Sequence, residues 1–216
     1  MEVYNTVVRF YQEGGAFMHP ILAVLALGLA IALERYIYLT RAKRGNRRAW
    51  DALLPLVQSG RLREAKALAA AGDTALHRVL GYGLARLGET SDRQEIERAL
   101  EEGLMEVTPR LEKRTHYLAT LANIATLLGL LGTIIGLISA FSSISLANPN
   151  EKAQLLSSSI SVAMNTTAFG LMVGIPLLLV HAFLQSKTNQ LISSLETAAI
   201  KLANSIKDRP SLQEAA

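Results

Sequence analysis

Hydrophobic and charged positions are segregated along this chain rather than interleaved. No Lys, Arg, Asp or Glu occurs from Thr115 to Asn150, from Ala153 to Ser186, or from Gly14 to Leu33. A helix needs roughly 20 apolar residues to cross about 30 Å of hydrocarbon. A charge held at the bilayer centre is costly. The pattern therefore predicts three membrane-spanning helices, at about Phe17 to Leu39, within Tyr117 to Leu146, and at about Leu155 to Leu184. The competing reading, a buried hairpin of a soluble protein, is disfavoured by the length of the two longer runs.

The segments between the spans carry their own periodicities. Val3, Val7, Phe10 and Tyr11 recur at helical spacing, so residues 1–15 read as a short amphipathic helix lying at an interface and broken by Gly14 and Gly15. Arg61 to Ala71 is rich in Ala and Leu; Asp73 is placed to cap a helix running to about Leu87, which Gly88 closes. Ser91 and Gln94 have capping-box spacing at the start of a longer helix. Along it Ile96, Leu100, Leu104, Val107, Leu111 and Leu118 form an apolar seam that Pro109 should kink. Nothing else interrupts this helix before the second span, so it reads as continuous into the membrane. After the third span, Leu184, Leu191, Leu195, Ala198, Leu202 and Ile206 continue at helical spacing, as a partner for that seam.

The predicted fold class is thus an all-α membrane protein with three transmembrane helices, long cytoplasmic helical extensions and assembly as a ring. Its segments are 1–15 (amphipathic, periplasmic side), 17–39 (first span), 40–116 (cytoplasmic helical domain), 117–146 (second span), 147–154 (periplasmic loop), 155–184 (third span) and 185–216 (cytoplasmic helix and tail). Arg41, Lys43, Arg44, Arg47 and Arg48 follow the first span with no acidic residue before Asp51, and Arg110, Lys113 and Arg114 precede the second. By the positive-inside rule both flanks are cytoplasmic, placing the amino terminus outside and the carboxyl terminus inside. The amino terminus lacks the basic segment of a secretory signal, so the first apolar run is expected to be retained.

Composition changes this picture little. Half of the 216 residues are hydrophobic, with a mean hydropathy of +0.25, and the net charge of +4 comes from the cations flanking the spans, so it gives no reason to invoke nucleic acid. There is no cysteine, which excludes disulfides and thiolate chemistry.

Inside the spans, small residues align. Thr126, Gly129, Thr133, Gly136 and Ala140 share one face of the second, where Gly132 and Gly136 also form a GxxxG; Ser159, Ala163, Thr166 and Gly170 share a face of the third. Such faces allow close helix packing in lipid. They also call for partners, and they predict a closed homo-oligomer. Asn165, Thr166 and Thr167 accumulate midway along the third span with Thr133 as a facing partner, and hydroxyls with an amide supply oxygen ligands for a cation or a water site. Packing and an ion path both remain open on these residues.

The chain resembles the MotA/TolQ/ExbB ion-channel subunits of rotary membrane motors. The resemblance is carried by Glu34-Arg35 closing the first span, by LLGLLGTIIGLISAF from Leu127 to Phe141, and by NTTAFGLMVGIP from Asn165 to Pro176. Three spans with a cytoplasmic domain between the first and second match the ExbB/TolQ branch. The resemblance implies a homopentamer around a dimer of a single-span ExbD/TolR/MotB-like partner whose membrane Asp carries the ion. It implies an inner-membrane location, and proton- or sodium-motive force energising work in the periplasm or envelope. It places Thr133 and Thr167 on the threonines lining the ion path. Two positions depart from the family: Val162 stands where the ExbB/TolQ branch has Glu, and Thr126 where a Pro is usual. Thr166 stands where sodium-driven relatives carry a second Thr, which leans toward Na⁺.

Other chemistries find no support. His19, His77, His116 and His181 have no metal-ligand spacing, the glycines around Gly129 follow no strand as a phosphate loop would, and no nucleophile-base pair is evident. The expectation is a non-enzymatic protein without cofactor, transporting H⁺ or Na⁺ and contacting membrane lipid. A non-conducting scaffold anchoring a single-span partner is the alternative. A self-contained transporter should show internal repeats or charged membrane residues, and neither is present.

Overall fold

The computed structural model of the chain describes Val8, Phe10, Tyr11 and residues 14–87, 92–146 and 150–207. Among the described residues six helices follow the short amino-terminal stretch: α1 Met18–Gln58, α2 Leu62–Ala71, α3 Ala75–Arg86, α4 Arg93–Glu112, α5 Thr115–Leu146 and α6 Lys152–Lys207. No strand occurs among the described residues. Three of the helices contain stretches long and apolar enough to cross a membrane, one each in α1, α5 and α6. The protein is an all-α membrane protein. Val3, Val7, Gly88, Ser91, the connection at 147–149, the Ile206 side chain and the tail from 208 lie outside the described residues.

The chain divides into two units, one formed by Met1–Glu34 with Arg114–Phe183 and the other by Arg35–Lys113 with Leu184–Ala216. In the first, Met18, Ile21, Val24, Leu118, Ala122, Ala125, Val173 and Leu177 are buried, while large side chains such as Leu127, Ile138, Met164, Met172 and Leu179 point outward. Large apolar side chains facing outward suit lipid, where no hydrophobic force drives Leu inward.

The second unit is a helical bundle with large apolar side chains in its core. Leu39, Leu53, Val79, Leu80, Ile96, Leu100, Val107, Leu111, Leu191, Leu195 and Leu202 are buried in it. The seam on α4 packs on α3: a Cβ on Gly103 would lie 2.9 Å from Val79 Cα, and one on Gly83 would lie 2.6 Å from Leu100 Cδ2. The first turn of α4 also reaches α6, where Arg93 donates to Asn204 at 3.4 Å. Leu104 of the seam is only half-buried.

Helix ends correct three sequence expectations. The cap of α3 is Thr74, whose hydroxyl accepts from the His77 N–H at 3.3 Å; Asp73 instead pairs with Arg78 at 2.6 Å. The cap of α4 is Asp92, which accepts from the Gln94 N–H at 2.9 Å and has the carboxylate that best complements a helix amino terminus. Third, α4 does not continue into the second span. It runs through Pro109 to Glu112, and the chain then turns at Arg114 with φ of 64° before α5 begins. The break follows Pro109 by about one turn. At the end of α1, Gly60 adopts φ of 77° while its N–H bonds Val57 O at 3.1 Å and the Arg61 N–H bonds Leu56 O at 3.0 Å, a Schellman stop.

Candidate ion path in the first unit

The two uncharged helices meet through their glycines. A Cβ placed on Gly170 would lie 2.7 Å from Ala125 O and 2.9 Å from Gly129 Cα, and one on Gly129 would lie 3.2 Å from Gly170 Cα. Further along, Gly136 faces Ala163 at 3.0 Å and Gly174 faces Thr126 Oγ1 at 2.6 Å. The small faces of α5 and α6 therefore close on each other within one chain. The close packing that small-residue faces allow is thus formed between α5 and α6 themselves. What remains exposed on α5 is a stripe of large residues, Leu127, Leu130, Ile134, Ile138 and Phe141, and on α6 Met164, Met172, Ile175 and Leu179.

Each hydroxyl finds a different environment. Thr167 donates across the helix pair to Gly129 O at 2.9 Å, tying α6 to α5 where no side chain intervenes. Thr133, half-buried, donates to Leu130 O of its own helix at 2.6 Å. Asn165 is half-buried as well. A hydroxyl that has given its proton to a carbonyl still presents oxygen lone pairs, which is what a cation or a water chain requires. Thr126 donates back to Ala122 O at 3.1 Å, and α5 runs unbroken through it.

Thr166 departs from its expected role. It is 2% exposed, its hydroxyl lies 2.6 Å from Gly14 O and 2.8 Å from Val162 O, and its methyl abuts Gly132. The position is inside the chain, against the turn that precedes α1, where Gly15 has φ of 73°. That turn leads into α1, so Thr166 sits level with the start of α1. Val162 belongs to the same contact, since a Cβ on Gly15 would lie 3.1 Å from Val162 Cγ1. An apolar side chain against that glycine suits a packed turn.

Aromatic side chains flank this turn. Tyr11 stacks on His19, with its hydroxyl 2.9 Å from Nδ1, and both Phe10 and Tyr11 meet the Phe169 ring edge-on at 6.3 Å. His116 packs beside Tyr117 with ring centroids 4.2 Å apart. No group of three potential His, Asp or Glu metal ligands occurs among the described residues.

Glu34 and Arg35 act at the α4–α5 break. In the first unit Glu34 pairs with Arg114 at 3.3 Å. In the second, Arg35 is 2% exposed, donates to the Leu111 carbonyl and stacks 4.7 Å over Tyr38. A carbonyl in the last turn of a helix lacks an intrahelical donor, and Arg35 supplies one. In the sequence the only signal of this role is a cation at the end of an apolar run.

The second unit also carries a polar cluster on α3 and α4. The Tyr82 hydroxyl donates to Glu106 at 2.8 Å, and Arg78 and Arg110 approach the same carboxylate at 3.4 and 3.3 Å. The hydrogen bond from Tyr82, with the two guanidinium groups, holds the Glu106 carboxyl below its ordinary value, and burial lowers His77.

The family model for the MotA/TolQ/ExbB proton channel family matches residues 71–197. An ExbB-like biopolymer transport protein of Synechocystis is 30% identical over 167 residues, covering 77% of this chain and 79% of that one. An ExbB homolog of Methanothermobacter thermautotrophicus is 25% identical over 194 residues, covering 89% and 68%. The biopolymer transport protein ExbB of Xanthomonas campestris pv. campestris is 29% identical over 134 residues, covering 62% and 53%.

Proposed function

This chain belongs to the MotA/TolQ/ExbB proton channel family, and from that premise we propose that it is the ring-forming, ion-conducting subunit of an inner-membrane motor energised by an ion gradient. The observation that carries the reading is the uncharged α5–α6 pair, closed at Gly129 and Gly170 and bonded by Thr167 to a backbone carbonyl. Neither uncharged run, Thr115 to Asn150 or Ala153 to Ser186, contains a carboxylate. An ion-coupled carboxylate then has to come from another chain, here a dimer of a single-span protein with one membrane Asp. Thr133, Thr167 and Asn165 are the residues of this chain offered to the ion or its water chain.

Thr166 leaves that group, because its side chain is 2% exposed and enclosed by Gly14, Gly132 and Val162 of the same chain, whereas Thr133 and Thr167 are half-buried. With it goes the main ground for preferring Na⁺, and H⁺ becomes the favoured cargo. A proton needs only hydroxyls and water between titratable groups, whereas Na⁺ needs several oxygens held around it. Val162, in the place of a family carboxylate, favours one second reading, a scaffold that anchors the partner without conducting.

The assembly is tested by native mass measurement in mild detergent, on the chain alone and co-expressed with its single-span partner. Five copies alone, and five with two of the partner, are expected. A stable monomer, or a ring of another number, contradicts the reading.

A further inference from the structure

A cavity of ≈ 540 Å³ opens in the second unit between α1 and α6. Its α1 wall consists of Lys43, Asn46, Arg47 and Trp50, spaced three, four and seven residues apart and therefore on one helical face. The α6 wall carries Ser194, Thr197 and Lys201 beside Leu191 and Leu195. Three cations line the cavity and no Asp or Glu does. Among the described residues, none of Lys43, Arg47 and Lys201 forms an ion pair; Lys201 lies over the Trp50 ring at 5.7 Å.

Asn46 supplies an independent sign. It is 6% exposed, and its Oδ1 accepts the Leu76 N–H at 3.2 Å, which fixes the amide orientation. Its Nδ2 is buried with no hydrogen-bond partner among the described residues. A buried donor without an acceptor is unfavourable, and three like charges around one cavity add to the cost. An anion relieves both. The Ser194 and Thr197 hydroxyls donate to Leu191 O at 2.7 Å and Ser193 O at 2.8 Å, and a rotation of χ1 frees either for a ligand oxygen.

We propose that this cavity is a binding site for a phosphate ester carrying an apolar part. Lys43, Arg47, Lys201 and the Asn46 amide take the phosphate, and the Leu191–Leu195 floor with Trp50 takes the apolar portion. The volume is that of a small-molecule site. Both a soluble phosphate ester and an anionic lipid headgroup have this chemistry. Lys43 and Arg47 stand one and two turns beyond Leu39, within reach of a bilayer surface. The proposal is independent of the ion-path reading.

The test uses the full chain, purified in mild detergent and stripped of lipid. Phenyl phosphate and inorganic phosphate are titrated by calorimetry, and nanodiscs containing phosphatidylglycerol are compared by native mass spectrometry with nanodiscs of phosphatidylcholine alone. Saturable binding of one probe class is expected, weakened about tenfold or more by Arg47→Gln and by Lys43→Gln. Asn46→Asp keeps the acceptor for Leu76 while replacing the donor with a negative charge, so it should abolish binding without lowering the melting temperature. Preference for phenyl phosphate assigns a soluble ligand, and retention of phosphatidylglycerol alone assigns a lipid. Absence of saturable binding to every probe, or wild-type binding by Arg47→Gln and Asn46→Asp together, overturns the proposal.

Discussion

Replacing Gly170 with Ala puts the α5–α6 contact under direct strain. The added methyl would lie 2.7 Å from Ala125 O, 2.9 Å from Gly129 Cα and 3.3 Å from Gly129 N. All three are backbone atoms of a helix, and none can swing aside as a side-chain tip would. Bringing the carbon contact out to an ordinary separation near 3.5 Å moves the helices apart by about 0.6 Å. Overpacking of this kind costs about 1–3 kcal/mol. The same movement stretches the 2.9 Å bond from Thr167 to Gly129 O, whose loss adds about 0.5–1.5 kcal/mol. Destabilisation of about 1.5–4.5 kcal/mol is expected, read as a lower thermal unfolding midpoint of the assembled protein in mild detergent. Gly81→Ala is the control: it lies inside α3, a Cβ there meets nothing within 4 Å, and the change should stabilise by about 0.5–1 kcal/mol. A Gly170→Ala protein melting at or above the wild-type temperature would refute the packing argument.

Thr166→Val should lower stability by about 1–3 kcal/mol in the same melting assay, because it leaves the Gly14 carbonyl without its donor, while Thr166→Ser should restore the wild-type midpoint. Ion preference should not change in either variant, and a switch in sodium dependence on Thr166→Val would return this residue to the ion path. Arg35→Leu should cost about 1–3 kcal/mol and speed amide exchange across the α4–α5 break, because it removes the donor to Leu111 O. Acidification should loosen the α3–α4 pair in two windows. His77, lowered by burial, contributes stability that is complete above 6.5 and declines as pH falls below that value; Glu106, lowered by its Tyr82 and arginine partners, contributes above 4.5 and is lost as pH falls through its depressed value. Exchange measured at pH 7, 5.5 and 4 should show protection falling at each step. A profile flat to pH 4 contradicts both assignments.

The three spans were legible because an uncharged run of sufficient length is a property of the line of residues itself. The glycine faces were legible as faces. Which surface each face meets was not, since Gly129 and Gly170 stand on separate helices and their meeting depends on the rotation of both. The same holds for bonds between distant positions: Thr166 accepts its role from Gly14, and Arg35 from a carbonyl 76 residues away. Helix caps failed for a local reason. Asp73 and Thr74 are adjacent and both competent, and the choice was decided by Arg78, which draws the carboxylate away. Pro109 was read as the site of a kink, but its effect surfaces one turn later, where Arg114 takes a left-handed conformation and Glu34 holds its side chain.

The central claim is that this chain conducts ions only when another chain supplies the carboxylate. It is tested most directly by ion flux into proteoliposomes, with a pH-sensitive dye inside and a potential imposed, comparing the chain alone with the chain joined to its single-span partner. The chain alone should be ion-tight. Flux should appear with the partner, vanish when the partner's membrane Asp becomes Asn, and fall sharply with Thr167→Val or Thr133→Val in assemblies of unchanged mass. Flux through the chain alone, or flux indifferent to both threonine substitutions, would contradict the account.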